Sequence, residues 1–257
     1  MNASGLTGKT CIVTGGARGI GRAIVTAFGI AGANVVIADV RDADAQATAT
    51  EIRNKLGAHV LPVGADVTKV EDMERLRDAT LSEFGAIDVL VNNAGWDRLM
   101  PFLKTTPDLW DRVIGVNYRG VLNACYAVLP HMVSRKQGSI VNVSSDSARV
   151  GSMGEAVYSG AKAAVVAFSK SLAREHARDN IRVNVICPGL VDTPLLHEIQ
   201  QEEFGQKVLG SIVNYIPLKR FAQPEDIAPM VVFLASDAAS YITGQVTSIN
   251  GGLTMAG

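Results

Sequence analysis

Short runs of β-branched and other apolar residues alternate along the whole chain with longer segments of helical spacing. No other feature of the sequence limits the possible fold as strongly. Thr10–Thr14 (TCIVT) reads as a strand and Gly19–Ala31 as a helix. Asn34–Ala38, His59–Val63 and Asp88–Asn92 read as strands, separated by helices over Ala43–Leu56 and Val70–Phe84. Pro107 opens a long helical stretch to about Arg135, with Pro130 near its end. Ser139–Ser144, Ile181–Ile186 and Gln245–Ile249 complete seven strands, with helices over Val157–His176 and Pro224–Leu234. Largely apolar strands, separated by helices, predict a parallel sheet covered on both faces, hence a doubly wound α/β fold. The 257 residues suit one such domain, 1–257, with no obvious room for a second. Asp192–Phe221, with a helical stretch between about Leu195 and Leu209, breaks the alternation. A long irregular connection on a rigid sheet predicts a functional insert, here 192–221.

Composition excludes several classes. With 47% hydrophobic and 19% charged residues the chain can build a core and is not a disordered protein. A net charge of −1 argues against a protein that tracks nucleic-acid phosphates. No apolar run is long enough to span a membrane, and Met1–Lys9 does not read as a signal peptide. Cys11, Cys125 and Cys187 are widely spaced in apolar stretches, which predicts buried thiols in a reducing cytoplasm. The four histidines show no metal-ligand spacing, so no metal centre is expected.

Thr14-Gly15-Gly16-Ala17-Arg18-Gly19-Ile20-Gly21 follows the first strand and opens the first helix. Glycines there let the backbone approach a pyrophosphate, and the helix N-terminus offers it free N–H groups. The spacing is Gly-x-x-x-Gly-x-Gly rather than the commoner Gly-x-Gly-x-x-Gly. Asp39 ends the second strand, where a carboxylate would accept hydrogen bonds from ribose hydroxyls and repel a 2′-phosphate. That predicts NAD rather than NADP, although Arg18 and Arg41 stand close by and either could pair with a phosphate.

Tyr158 and Lys162 lie four residues apart in a helical stretch and share one face. A phenol ionises near pH 10, and a neighbouring ammonium would stabilise its phenolate, making Tyr158 a candidate general base. Ser145, just beyond the fifth strand, could hold a substrate oxygen while charge develops on it.

Over about Leu6 to Gly252 these motifs together resemble the short-chain dehydrogenase/reductase family. TGGARGIG (14–21) resembles its cofactor turn, with Gly15, Arg18, Gly19, Ile20 and Gly21 as contacts. Asp66-Val67 resembles its adenine-contacting pair, and Asn93, Ala94 and Gly95 fall in the motif after strand four. Pro188, Gly189, Val191 and Thr193 are similar to the segment that holds the nicotinamide. Asn117, Ser145, Tyr158 and Lys162 match the catalytic tetrad, the tyrosine 13 positions after the serine. The resemblance implies a Rossmann-type sheet of seven parallel strands, a homotetramer, and hydride transfer between a substrate carbon and the nicotinamide. It further implies that Tyr158 takes the alcohol proton and that Lys162 lowers its pKa and binds the nicotinamide ribose. Ser145 would orient the substrate oxygen, and Asn117 would support a water of the proton relay.

NAGWD (93–97), SDSARVGSMGEAVY (145–158), LAREHAR (172–178) and GGLTMAG (251–257) resemble family members that oxidise a β-hydroxyacyl-CoA in alicyclic acid degradation. The expected substrate is therefore a secondary alcohol, as a β-hydroxyacyl-CoA. Alternatives are a free alcohol, sugar or steroid, or a 3-oxoacyl-carrier-protein reductase; a non-catalytic nucleotide-binding subunit is disfavoured by the intact tetrad. Trp96, Asp97, Arg149, Met153 and Glu155 are expected at the pocket mouth, with Trp96, Met153 and Arg149 against substrate. A CoA arm would need basic groups at the rim, for which Arg98, Lys104, Arg149 and Lys207 are the candidates.

Overall fold

The computed structural model describes residues 5–209 and 212–256. Seven strands form one sheet: β1 (Thr10–Thr14), β2 (Asn34–Asp39), β3 (Val60–Gly64), β4 (Val89–Asn92), β5 (Gly138–Val143), β6 (Ile181–Pro188) and β7 (Val246–Ile249). Their order is β3-β2-β1-β4-β5-β6-β7, and every neighbouring pair is parallel. The chain winds outward from β1 to β3, then returns to lay β4 on the other side of β1. The order reverses between β1 and β4, and that reversal opens a crevice at the carboxyl ends of those strands.

Successive residues of a strand point to opposite faces, which is why the central strands are largely apolar on both. Val13, Val35, Ile37 and Ile186 pack on one side with Ile24 and Phe28 of α1 (Gly19–Ile30), Ile52 of α2 (Asp42–Leu56), and Ile227 and Val231 near the chain's end. Ile12, Val36, Leu90, Ile140 and Val183 pack on the other, against Met73 and Leu76 of α3 (Val70–Phe84) and residues of two later helices. The three cysteines are buried and unpaired, as expected. Among the described residues no group of side chains could hold a metal ion, and no helix is long and apolar enough to cross a membrane.

The predicted helix from Pro107 to Arg135 is interrupted. It is α4 (Pro107–Ile114), a π-helical turn over Gly115–Arg119, and α5 (Gly120–Arg135), in which Pro130 is internal. The Asn117 amide donates to the Val113 carbonyl at 2.9 Å, one turn back, and so competes with the backbone ladder there. After β5 come a one-turn helix, α6 (Ser147–Val150), and the long α7 (Ala156–His176). The insert forms α8 (Pro194–Gln200), α9 (Glu203–Leu209) and a 3₁₀ turn over Ile212–Tyr215. A parallel bridge between Val191 and Ala222 closes its base. The last helix, α10 (Pro224–Ala235), starts on proline and packs along α1.

Candidate active site

The turn after β1 is shaped by contacts that leave no space for side chains. Gly15 has φ +62°, and a Cβ there would lie 2.8 Å from the Ala94 Cα. A Cβ on Gly21 would sit 2.0 Å from the Gly15 carbonyl oxygen. The Asn93 amide donates to the Thr14 and Gly15 carbonyls at 3.0 and 2.9 Å, joining the ends of β1 and β4. Arg18 precedes α1 and gives it no side-chain cap, so the first-turn N–H groups face the crevice. A glycine cradle in front of uncapped N–H groups fits a dinucleotide pyrophosphate.

The crevice is a cleft of 880 Å³ running from Gly15 to the insert. Arg18, Gly19, Ile20, Asp39, Asp66, Val67, Ala94, Gly95, Pro188, Gly189, Val191 and Thr193 all line it. Asp39 accepts hydrogen bonds from the backbone N–H groups of Ala17 (3.0 Å) and Arg41 (2.9 Å). Its carboxylate is thereby fixed at the cleft wall, where it serves as both turn residue and lining. Arg18 lies 3.8 Å from the Asp44 carboxylate, so one of the two nearby arginines already has an acidic neighbour. Asp66 is held by Thr68, whose N–H and hydroxyl both donate to it. Thr193 caps α8 by accepting from the Leu196 N–H. A Cβ on Gly19 would stand 3.3 Å from the Thr193 methyl, so the insert abuts the cradle.

Ser145, Tyr158 and Lys162 line the same cleft. Ser145 and Tyr158 share a hydrogen bond. The Lys162 ammonium is 5.7 Å from the centre of the Tyr158 ring and donates to the Val143 carbonyl at 2.9 Å. Burial lowers Lys162 to about 8, against the attraction of Cys187 and Asp97. Tyr158 behaves differently from the sequence expectation. Burial first, then Glu155 and Asp97, raise its phenol well above the usual value, and only the Ser145 hydrogen bond among the larger influences opposes them. The protein's own surroundings therefore favour the neutral phenol, chiefly through burial, with the Glu155 and Asp97 carboxyls adding to it.

Asn117 is wholly buried and does not open onto the cleft. Its amide donates to the Trp96 carbonyl at 2.6 Å, and its oxygen accepts from the Trp96 N–H at 3.3 Å. The structure thus has it pinning the loop after β4 that carries Trp96.

Trp96 lines the cleft, with the Arg112 guanidinium 3.7 Å from its ring centre. Arg149 and Met153 do not. Arg149 turns to the end of the chain, donating to the Ser248 hydroxyl at 2.9 Å and to the Ala256 carbonyl. Met153 points to solvent from the loop between α6 and α7. The expected basic rim is not assembled either. Arg98 pairs with Glu202 at 3.0 Å, and the exposed Lys104 and Lys207, on a 3₁₀ turn and on α9, lie away from the lining. Arg112, Leu195, Glu198 and Ile199 line the cleft instead. They carry no motif, and only the placing of α4 and α8 reveals them.

A family profile described as Enoyl-(Acyl carrier protein) reductase matches residues 3–254. The 3-oxoacyl-[acyl-carrier-protein] reductase FabG of Thermotoga maritima is 39% identical over 97% of this chain and 99% of its own length. A 3-ketoacyl-(acyl-carrier-protein) reductase from Brucella melitensis, solved with NADH, superposes with TM-score 0.89 at 35% identity, covering 97% of this chain and 100% of that one. Levodione reductase superposes with TM-score 0.92 at 32% identity over 96% of this chain and 98% of its own. With its sheet order, its glycine cradle and a Ser–Tyr–Lys cluster in one cleft, the chain belongs to the short-chain dehydrogenase/reductase family of oxidoreductases.

Proposed function

We propose that the chain interconverts a β-hydroxyacyl thioester and its β-keto form with NAD(H), with coenzyme A as the thioester carrier. The observation that carries this reading is one continuous cleft. Asp39 and the glycine cradle stand at one end, and Ser145, Tyr158 and Lys162 at the other. A bound nicotinamide would supply the two-electron chemistry. The chain's own residues position and protonate. In the reductive direction the neutral Tyr158 phenol gives its proton to the substrate oxygen, and Ser145 donates to that oxygen as negative charge builds there; oxidation is the same transfer reversed. Lys162 lines the same cleft, where it would hold the nicotinamide ribose, and Asn117 keeps the Trp96 loop in place.

Two features favour a thioester over a free hydroxy acid. Trp96, Leu195, Leu196 and Ile199 give an apolar wall for an acyl chain or ring. Glu155 lines the cleft beside Tyr158 and Asp97 lies just behind, so a substrate carboxylate would meet like charge where a thioester carbonyl would not. The local likeness of NAGWD and GEAVY to 2-hydroxycyclohexanecarboxyl-CoA dehydrogenase points the same way. The names of the relatives support a second reading, reduction of a 3-oxoacyl group on an acyl carrier protein. Asp39 speaks for NAD(H) in either case. Buried free thiols suit a cytoplasmic enzyme, and the family resemblance suits a homotetramer.

The test is a panel of β-hydroxyacyl-CoAs, the same acyl groups on acyl carrier protein, and the free acids, each followed by NADH formation. Turnover of the CoA esters, with the free acids at least tenfold slower in kcat/KM, is the expected result. Preference for the carrier-protein substrates would establish the second reading, and preference for the free acids would refute both.

A further inference from the structure

Asp146 follows Ser145 directly and belongs to none of the cofactor or substrate motifs. It is nonetheless only 5% exposed, and its carboxylate gathers side chains from β7 and the turn that follows it. Ser248 of β7 donates its hydroxyl to one carboxylate oxygen at 2.7 Å. The other oxygen accepts from the Thr254 hydroxyl at 2.7 Å and from the Asn250 amide. That amide also donates to the Thr254 carbonyl at 2.8 Å, and the Gly252 N–H donates to the Asn250 side-chain oxygen at 2.9 Å. Residues 250–254 thus form a turn fastened to Asp146. Arg149 of α6 binds the same segment through the Ser248 hydroxyl and the Ala256 carbonyl.

Ser145 stands where β5 runs out. On either side of it the Ser144 N–H donates to the Ile186 carbonyl at 2.8 Å and the Asp146 N–H to the Pro188 carbonyl at 3.0 Å, so the serine rides on the end of β6. Pro188 and Gly189, at that same strand end, line the cleft. The Gly189 N–H donates to the Ile249 carbonyl at 3.0 Å, and a Cβ on Gly189 would lie 2.9 Å from the Asn250 Cα. The sheet order places β6 between β5 and β7. The Asp146 carboxylate therefore spans the end of β6, with the Pro188–Gly189 backbone held between the Ser145 loop and β7. The Ser147 N–H, which donates to the Ser145 hydroxyl at 3.2 Å, steadies that hydroxyl within its own loop but does not set its distance from the neighbouring strands.

We propose that Asp146 is a positioning residue: by clasping β7 and residues 250–254 across the end of β6, it fixes the Ser145 hydroxyl relative to Tyr158 and to the Pro188–Gly189 segment. The inference rests on the assignment of Ser145 and Tyr158 given above. An ionised carboxylate only accepts hydrogen bonds, which suits three converging donors. Once it is removed, those partly buried donors lose their partner, and the turn that carries them is no longer fastened to the Ser145 loop. Ser145 must meet the substrate oxygen in good geometry, and a misplacement of about 1 Å costs on the order of 10²-fold in rate. Asparagine keeps the shape of Asp146. With its oxygen toward Asn250 and Thr254 and its amide toward Ser248, every partner retains a bond, because a hydroxyl accepts as well as donates. Alanine keeps none of the three.

The test is a double-variant cycle, run with NAD and the substrate of the panel above that turns over fastest. Asp146→Ala should lower kcat by about 10- to 100-fold, with KM for that substrate nearly unchanged. Its affinity for ADP-ribose, measured by calorimetry, should also stay near native, because that probe carries no nicotinamide and the glycine cradle lies at the other end of the cleft. Asp146→Asn should recover most of the lost kcat. In a Ser145→Ala background the further change Asp146→Ala should lower kcat by less than about threefold, since no hydroxyl is left to misplace. Native kcat in the Asp146→Ala form, an Asn form as slow as the Ala form, or full additivity in the Ser145→Ala background would each overturn the proposal. Should Asp146→Ala fail to fold and so bind no ADP-ribose, the same cycle built on Thr254→Val decides the matter: a fall in kcat of about threefold or more that vanishes without Ser145 supports the clasp, and native kcat refutes it. If Ser145→Ala itself turns over like the native chain, the active-site assignment has failed; if Ser145→Ala is slow while Asp146→Ala is not, only this inference has.

Discussion

Asp97 should make the protein less stable as the pH rises, and replacing it should reverse that. Its ordinary carboxyl value of 3.8 is raised to about 7, first by burial and then by Glu155, against the Arg98 N–H and Lys162. The folded chain therefore binds this proton more tightly than the unfolded chain. The stability so contributed is complete below about pH 4 and is lost as the pH rises through 7. At about 1.4 kcal/mol per pH unit, the displacement from 3.8 to about 7 amounts to about 4 kcal/mol. Asn has nearly the same shape and no charge to bury. Asp97→Asn should therefore gain stability relative to the native chain, by an amount that grows about 3 kcal/mol between pH 5 and pH 8. Urea unfolding of both proteins across that range, without cofactor, gives the difference directly. A difference that does not change with pH, or an Asn variant less stable at pH 8, would refute the reasoning.

Gly21→Ala should destroy the cradle, because its Cβ would meet the Gly15 carbonyl oxygen at 2.0 Å. NADH binding measured by fluorescence should be lost, with the far-ultraviolet circular dichroism largely kept. Asp39→Ala should narrow the preference for NAD over NADP by about 10-fold or more, read as the ratio of kcat/KM values. Arg182 donates to the Leu234 and Ser236 carbonyls at 2.7 and 3.1 Å, closing the end of α10. Arg182→Met should lower unfolding stability by about 1–3 kcal/mol, since the Leu234 and Ser236 carbonyls lose their charged donor and keep only the Ser139 hydroxyl and the Ala239 N–H.

The sheet was legible because most strands are largely apolar on both faces and helical spacing separates them. Both are local consequences of a doubly wound architecture. The cofactor end was equally legible, since a glycine turn between strand and helix has a fixed geometry wherever it occurs. The substrate end was not. Arg149 looks like a rim cation in sequence, but the chain end returns to it from more than a hundred residues away. Arg98 looks free, and Glu202 of the insert claims it. The π-helical turn at Gly115–Arg119 has the same apolar spacing as its flanking helices, so only the Asn117 amide bonding back to Val113 reveals it. The depressed phenol expected at Tyr158 followed from Lys162 four residues on. It overlooked burial, the largest influence, and two carboxyls, Glu155 at the start of the same helix and Asp97 from the loop after β4.

The central claim is that Tyr158 carries the substrate proton in a cleft that binds NAD(H) independently of it. Tyr158→Phe, assayed for turnover of a β-hydroxyacyl-CoA and for NADH affinity by calorimetry, tests both halves at once. The account predicts a fall in kcat of about 10²–10⁴-fold with NADH affinity nearly unchanged. Near-native turnover in the Phe variant would contradict it.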